Sequence, residues 1–373
     1  MKISVLGKGL AGCYTAAHFQ YYSPQDEIEL IFDSKIPPVP IGQATVLDSP
    51  QFLHRIFGLW KINWNNNPIK ATAKTGILYE NWGTKNDKFF HPFPISQTAL
   101  HYDTISFQDY VCEKGGFKVI DKNISDYKEI DSDYIFDCRG FPKTYDNYDM
   151  LVNPLNTALL ARSEEVKPTQ HWTRAVATPN GWTFDIPLTD HTSLGYLYNS
   201  DITSDEDATE NFNEMFNNTE IYKKMKFKNY IAKEPIIDDR IILNGNRLFF
   251  LEPLESTAIS VYISWILGCY SWIIEKNNNS ENLTYYIKNH VRKIQNFILY
   301  HYGFGSKWST PFWKYAKTLK IIDPDFWKLM NYATNSKPHW TNGEYEIKDY
   351  GIHAPFNFRN QYEGLNTTNN KDV

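Results

Sequence analysis

No apolar run in this sequence reaches the roughly 20 residues that a membrane-spanning helix needs. The opening residues go straight from Met1 into a short strand-like segment, without the longer apolar stretch and small-residue cleavage site of a secretory signal. Cysteine is scarce: Cys13, Cys112, Cys138 and Cys269 are scattered and form no C-x-x-C pair, which argues against a zinc knot and a disulfide framework. Basic excess is missing too. The net charge is −5, so neither nucleic acid nor an anionic membrane is an expected partner. A cytoplasmic protein in a reducing compartment is the expectation.

Aromatic residues are plentiful, at 16% of the chain, with 11 Trp and 25 Tyr. Such a supply suits deep pockets lined by flat side chains. The 373 residues are enough for two or three structural units.

The first segments read as strand, helix, strand. "KISVL" (2–6) is a β-strand, "GKGLAGCYTAAHF" (7–19) turns into a helix, and "EIELIFD" (27–33) is a second strand ending on an acid. Gly7, Gly9 and Gly12 form G-x-G-x-x-G at the junction. The first glycine permits the tight turn, the second lets backbone approach a pyrophosphate, and the third lets helix and strand pack closely. Leu10 and Ala11 open the helix whose N-terminus faces the phosphates, and Asp33 stands where a ribose-binding acid belongs. The fingerprint occurs once, which points to a single placed dinucleotide.

Later strands are expected at "YIFDCRGF" (134–141) and "RIILNGNRLFF" (240–250), with strand-like alternation between 145 and 240. Helices are expected from about 260 to 335, and the polar end from Gln361 is expected to fray. "LEPLESTAI" (251–259) places two glutamates, Ser256 and Thr257 at a helix start. Plain capping or a held anion would each explain them.

Seven segments, in order, resemble motifs of the flavin-dependent tryptophan halogenases. They are "PVPIGQATV" (38–46), "TGILYENWG" (75–83), "FFHPF" (89–93), "DCRGF" (137–141), "GWTFDIPL" (181–188), "LEPLESTAI" (251–259) and "HYGFGSKWSTPFW" (301–313). The resemblance implies an α/β (α+β) fold with a GR2-type Rossmann-like FAD-binding domain. That domain is discontinuous, at 1–55, 100–145 and 235–275. A sheet-rich insertion and substrate wall at 56–99 and 146–234, a helical substrate region at 276–340 and a C-terminal tail at 341–373 complete the chain.

It also implies a chemistry. Reduced FAD from a separate flavin reductase, oxygen and a halide ion give hypohalous acid, which passes down a tunnel to a lysine beside a small aromatic substrate. Gln43, Ala44 and Thr45 join the glycine loop as cofactor contacts. Ser256, Thr257 and Ala258 hold the halide, Glu255 is catalytic, and His91 and Phe93 pack on the substrate. Trp308, Trp313 and Trp327 are further wall candidates. A homodimer stays open.

Three departures stand out. An ungapped match to G-I-K-F-x-N-W puts Leu78 in the lysine position. Lys74 lies four residues earlier, about 13 Å along an extended strand. It is expected to be solvated, or to lay its stem on apolar surface. A Gly-rich turn before "LEPLEST" is shortened. Gln43, Phe184 and Ala258 replace an acid, a tryptophan and a glycine. The leading function is halogenation of an indole- or phenol-type ring by a lysine-free route. The alternatives are a flavin monooxygenase or oxidase without halogenation, and a non-catalytic flavin-binding relative.

Overall fold

The fold was obtained as a computed structural model, which describes residues 1–59, 67–94, 97–338 and 348–366. The expected tail therefore lies partly outside the described residues, at 341–347 and 367–373. Helices run at Leu10–Tyr22 (α1), Asp48–Phe57 (α2), Thr104–Lys114 (α3), Asp205–Met215 (α4), Ala258–Ile273 (α5), Ser280–Phe304 (α6), Pro311–Ala316 (α7), Pro324–Ser336 (α8) and Pro355–Asn366 (α9). The chain divides into two compact units. One comprises Met1–Thr72, Ala99–Leu151 and Asn229–Lys288; the other comprises Ala73–Thr98, Val152–Lys228 and Asn289–Val373.

The first unit is built on a six-stranded sheet. Its order is Ile236–Ile237, Ile241–Leu243, Tyr134–Asp137, Lys2–Leu6, Glu27–Phe32 and Lys118–Asp121. All neighbours are parallel except the edge pair Ile236–Ile237 and Ile241–Leu243. Lys2–Leu6 lies inside the sheet, and Ile3, Val5 and Leu6 are buried. That is why the segment reads as nearly unbroken apolar sequence. Helix α1 is buried from Ala11 through Phe19, which its small residues Gly12, Ala16 and Ala17 allow.

The expected strand 240–250 is interrupted. Ile241–Leu243 ends, Gly245–Arg247 forms a short 3₁₀ turn, and Phe249–Phe250 starts a separate strand. Gly245 takes φ +61, a left-handed conformation that ends extended pairing. Asn244 stabilises the break, its Oδ1 accepting from the Gly245 N–H at 2.7 Å.

The second unit carries a seven-stranded sheet, in the order Ile221–Lys226, Thr157–Ser163, Thr192–Tyr198, Gly181–Pro187, Thr173–Thr178, Gly76–Glu80 and Lys88–Pro92. Only the pairing of Thr173–Thr178 with Gly76–Glu80 is parallel. Helix α4 was not legible among the strand-like runs. Its N-cap Ser204 accepts from the Asp207 N–H, and Asp205, Glu206 and Asp207 suit the positive helix start. Ala208 and Phe212 fill its buried side against Tyr196 and Tyr198.

The expectation of fraying from Gln361 is corrected. Helix α9 continues to Asn366, and Gln361 and Leu365 are fully buried. Polar sequence was read as exposure, but Gln361 points inward, with its side-chain amide 2.8 Å from His91 Nδ1.

Candidate functional site

The glycine turn in the first unit behaves as hard-sphere sterics demand. Gly7 takes φ +102, and its N–H donates to the Ile31 carbonyl at 2.7 Å. A Cβ on Gly7 would lie 2.7 Å from the Cys138 carbonyl oxygen, and one on Gly12 only 1.9 Å from the Gly7 carbonyl oxygen. Gly9 is the N-cap of α1, whose first turn has neither a side-chain cap nor an acidic residue. The N–H groups around Leu10 and Ala11 thus begin a helix suited to an anion. Gly12→Ala should abolish flavin retention. It should also lower stability by roughly 1–3 kcal/mol, or more where backbone has to move. Flavin titration and thermal melting check both.

Gly245, in the turn Gly245–Arg247, packs against the start of α1, and the sequence reading did not assign it. A Cβ there would lie 2.7 Å from the Ala11 Cβ. Asn244 also donates from Nδ2 to the Thr15 hydroxyl of α1 at 3.1 Å. The shortened turn before "LEPLEST" therefore still abuts the dinucleotide helix. The Asn-Gly-Asn run was the available signal.

Asp33 follows the strand Glu27–Phe32, and its Oδ1 accepts from the Lys35 N–H at 2.9 Å. Gln43 lies in the short strand Gly42–Ala44 and donates to the Thr104 hydroxyl at 2.9 Å. Thr45 is buried, and both its N–H and its hydroxyl donate to the Leu100 carbonyl at 2.9 Å.

Behind the glycine turn, Asp137 is fully buried at the end of Tyr134–Asp137. Arg139 grips it with two hydrogen bonds, of 2.9 and 2.8 Å. Tyr127 donates to it at 2.6 Å, and Arg247 Nε lies 3.2 Å away. Burial alone would raise the Asp137 pKa, but the Arg139 hydrogen bond and the charges of Arg247 and Arg139 outweigh it and hold the carboxyl below its usual value. Its stabilisation is present above the unfolded carboxyl pKa of about 3.9 and is lost as pH falls through the lower folded value. Asp137→Asn should flatten this acid limb. It should cost near the lower end of about 3–5 kcal/mol, because both arginines keep some water contact. Urea unfolding at a series of pH values measures this.

The opening of α5 is more unusual. Glu252, Glu255 and Thr257 are all buried. Ser256 is left-handed at φ +57, and its N–H donates to the Pro253 carbonyl at 3.0 Å. A non-glycine residue there costs on the order of 1–2 kcal/mol, and such strain concentrates at functional sites. Thr257 is the N-cap, but its side chain makes no capping bond. Plain capping thus does not account for the motif. Ala258 begins the helix itself, so alanine for glycine is compatible with its backbone: the positive φ lies at Ser256. One turn on, the Ser260 hydroxyl donates to Asp48.

In the second unit, Leu78 is half-buried in Gly76–Glu80, opposite Phe90. Lys74 overturns the expectation of a solvated side chain. It is fully buried, with Nζ 5.5 Å from the Phe93 ring centre. The chain is not one continuous strand across this stretch: Lys74 ends Thr72–Lys74, and the next strand starts at Gly76. Between them, the Thr75 carbonyl accepts from the Phe93 N–H at 2.8 Å, which ties Phe93 to the residue after Lys74. His91 is buried, with its Nε2 and Nδ1 each 2.8 Å from a side-chain amide of α9.

The aromatic motifs form a packed cluster in the same unit. Trp82 meets Trp313 edge to face at 5.5 Å and lies 6.4 Å from Trp182, which neighbours Phe184. Trp313 is fully buried and donates to the Thr178 carbonyl at 2.7 Å, so it is a core pillar. Trp308 donates to the Ala177 carbonyl at 3.3 Å, whereas Trp327 is exposed on α8. Among the described residues, no group of three or more His, Cys, Asp or Glu is placed to hold a metal ion. No described helix is long and apolar enough to cross a membrane.

A parallel sheet, a turn in which Gly7 and Gly12 leave no room for a Cβ, and an uncapped helix start define a dinucleotide-binding α/β protein. Comparison with known proteins gives the family. A model of the tryptophan halogenases matches residues 2–128 and 115–347, and the chain belongs to that family of flavin-dependent enzymes. Tryptophan 7-halogenase RebH of Lentzea aerocolonigenes is 22% identical over 424 residues, spanning 86% of this chain and 80% of RebH. The solved structure of the tryptophan 6-halogenase SttH from Streptomyces toxytricini superposes with TM-score 0.82 at 17% identity, covering 99% of this chain and 92% of SttH. BrvH, a flavin-dependent halogenase from Brevundimonas sp. BAL3, gives TM-score 0.81 at 18% identity, covering 98% of this chain and 91% of BrvH.

Proposed function

We propose that this enzyme uses reduced FAD, oxygen and a halide to halogenate an electron-rich aromatic ring of the indole or phenol type. Lys74, rather than a residue at position 78, supplies the cation. The observation that carries this reading is the complete burial of Lys74 beside the Phe93 ring. An ammonium is costly to take out of water and suits holding an electronegative oxidant. The lysine-free route that Leu78 suggests is the alternative that a Lys74 variant tests.

The residues present fit FAD. Gly7, Gly9 and Gly12 leave a cradle that a Cβ would fill, Leu10 and Ala11 offer uncapped N–H groups, and Asp33 closes the second strand. When bound and reduced, FAD would supply two electrons to oxygen, and the peroxide-level oxidant so formed would take two more from halide to give hypohalous acid and water. Ser256, Thr257 and Ala258 hold the halide at the start of α5. Lys74 hydrogen-bonds the hypohalous acid and makes its halogen more electrophilic. The ring forms a carbon–halogen bond as the oxygen–halogen bond breaks, and the leaving hydroxide takes a proton from the Lys74 ammonium and departs as water. Glu255 takes the proton that the ring loses. His91 and Phe93 position the ring by stacking. A separate flavin reductase provides the reduced cofactor.

The test is a reaction of the purified chain with a flavin reductase, FAD, oxygen and a panel of indoles and phenols, in chloride, bromide or iodide. Halogenated product, with bromide or iodide outrunning chloride, supports the reading. Hydroxylated product would reassign the protein as a monooxygenase. No product and no flavin retention would make it a non-catalytic relative.

A further inference from the structure

The first turn of α9 has a polar arrangement with one consistent set of donors. Ala354 precedes the helix, and its N–H donates to Asn357 Oδ1 at 2.8 Å. Asn357 is the third helical residue reaching back to the N-cap, one half of a capping box. A backbone N–H can only donate, so the oxygen end of the Asn357 amide is fixed. Its NH₂ end must then face His91 Nε2, 2.8 Å away. A nitrogen that accepts carries no proton. Neutral imidazole with a bare Nε2 has its proton on Nδ1. That N–H faces the amide of Gln361 at 2.8 Å, one helical turn further along α9. The structure places Gln361 Nε2 at that position; exchanging the two ends of the amide, which their network decides, turns the carbonyl oxygen to the Nδ1–H and completes the set. All three side chains are buried, so water does not substitute for a missing partner.

We infer that Asn357 and Gln361 are positioning residues that hold His91 neutral, in its Nδ1–H tautomer, with the ring plane fixed. Putting a proton on Nε2 would set two donors face to face, and flipping Asn357 to relieve them would break the Ala354 bond. With both nitrogens engaged, His91 offers a substrate its face and carbon edge, not a hydrogen bond. It recognises a flat ring by stacking and takes no proton from it. This rests on the reading of His91 as part of the substrate wall.

The test is long-range ¹H–¹⁵N spectroscopy of the full chain labelled at histidine, at neutral pH. His91 is assigned by the loss of its ring signals in His91→Gln. If that variant does not fold, it is assigned by the ring that responds to Gln361→Glu. The expected pattern is a protonated-type Nδ1 and a lone-pair-type Nε2. Asn357→Asp presents oxygen to both Ala354 and Nε2, and should move the proton to Nε2. Gln361→Glu should keep Nδ1–H. With indole and bromide, Asn357→Leu, which removes the partner at Nε2, should raise KM for indole roughly tenfold, as loss of an orienting partner of a histidine does. Nε2–H in the wild type, an unaltered pattern in Asn357→Asp, or an unaltered KM overturns the inference. Absence of brominated indole from the wild type would count against the proposed function instead, and the spectra would still decide the tautomer.

Discussion

Lys74→Met is expected to abolish halogenated product while reduced flavin continues to be oxidised. Methionine keeps the length and apolar stem of lysine but has no donor, so hypohalous acid is neither held nor polarised. A well-placed acid–base group contributes about 10²–10⁴-fold, and a loss in that range is expected in kcat/KM for the aromatic substrate. Removing one member of a buried interaction can itself destabilise a fold, so the melting temperature is recorded beside the product to separate lost catalysis from lost structure. Product at the wild-type rate would make Lys74 a structural lysine packed on Phe93. The reciprocal variant is informative too: Leu78→Lys should add nothing, since the cation is already supplied four residues earlier.

Glu255→Gln should lower product formation by roughly 10²–10⁴-fold, because glutamine keeps shape and hydrogen bonding but cannot take up the ring proton. Glu255 is buried immediately before the strained Ser256, so a larger change such as Glu255→Lys would confuse catalysis with folding. The measurement is kcat and KM on one indole in bromide, with flavin oxidation and melting temperature recorded alongside. A fall confined to kcat, with flavin oxidation intact, places the defect after the halide has been oxidised. Unchanged kcat would leave Glu255 as an acid that suits the helix start.

Much of the first unit was legible because local sterics dictate it. Gly7 and Gly12 could be assigned from spacing alone, since no side chain fits where their hydrogens lie. The strand Lys2–Leu6 was legible because a strand buried on both faces must be apolar throughout. What was not legible depended on tertiary partners. Lys74 reads as a surface lysine until the pairing of Gly76 with Pro92 and the bond from Phe93 to Thr75 bring the Phe93 ring to it. Gln361 reads as part of a fraying end, because an amide looks solvated until His91 is found beside it. Ser256 carries no sequence mark of a left-handed backbone, although its turn defines the start of α5. An ungapped match to one motif puts Leu78 in the lysine position; that Lys74 is buried nearby shows only in the structure.

The most direct test is the mass spectrum of the aromatic product made by the wild-type chain from indole, bromide, oxygen and reductase-supplied reduced FAD. A brominated indole, recognised by the paired bromine isotopes and absent when bromide is omitted, is the predicted result. An indole that gains only oxygen, or unchanged indole while flavin is consumed, would contradict the account.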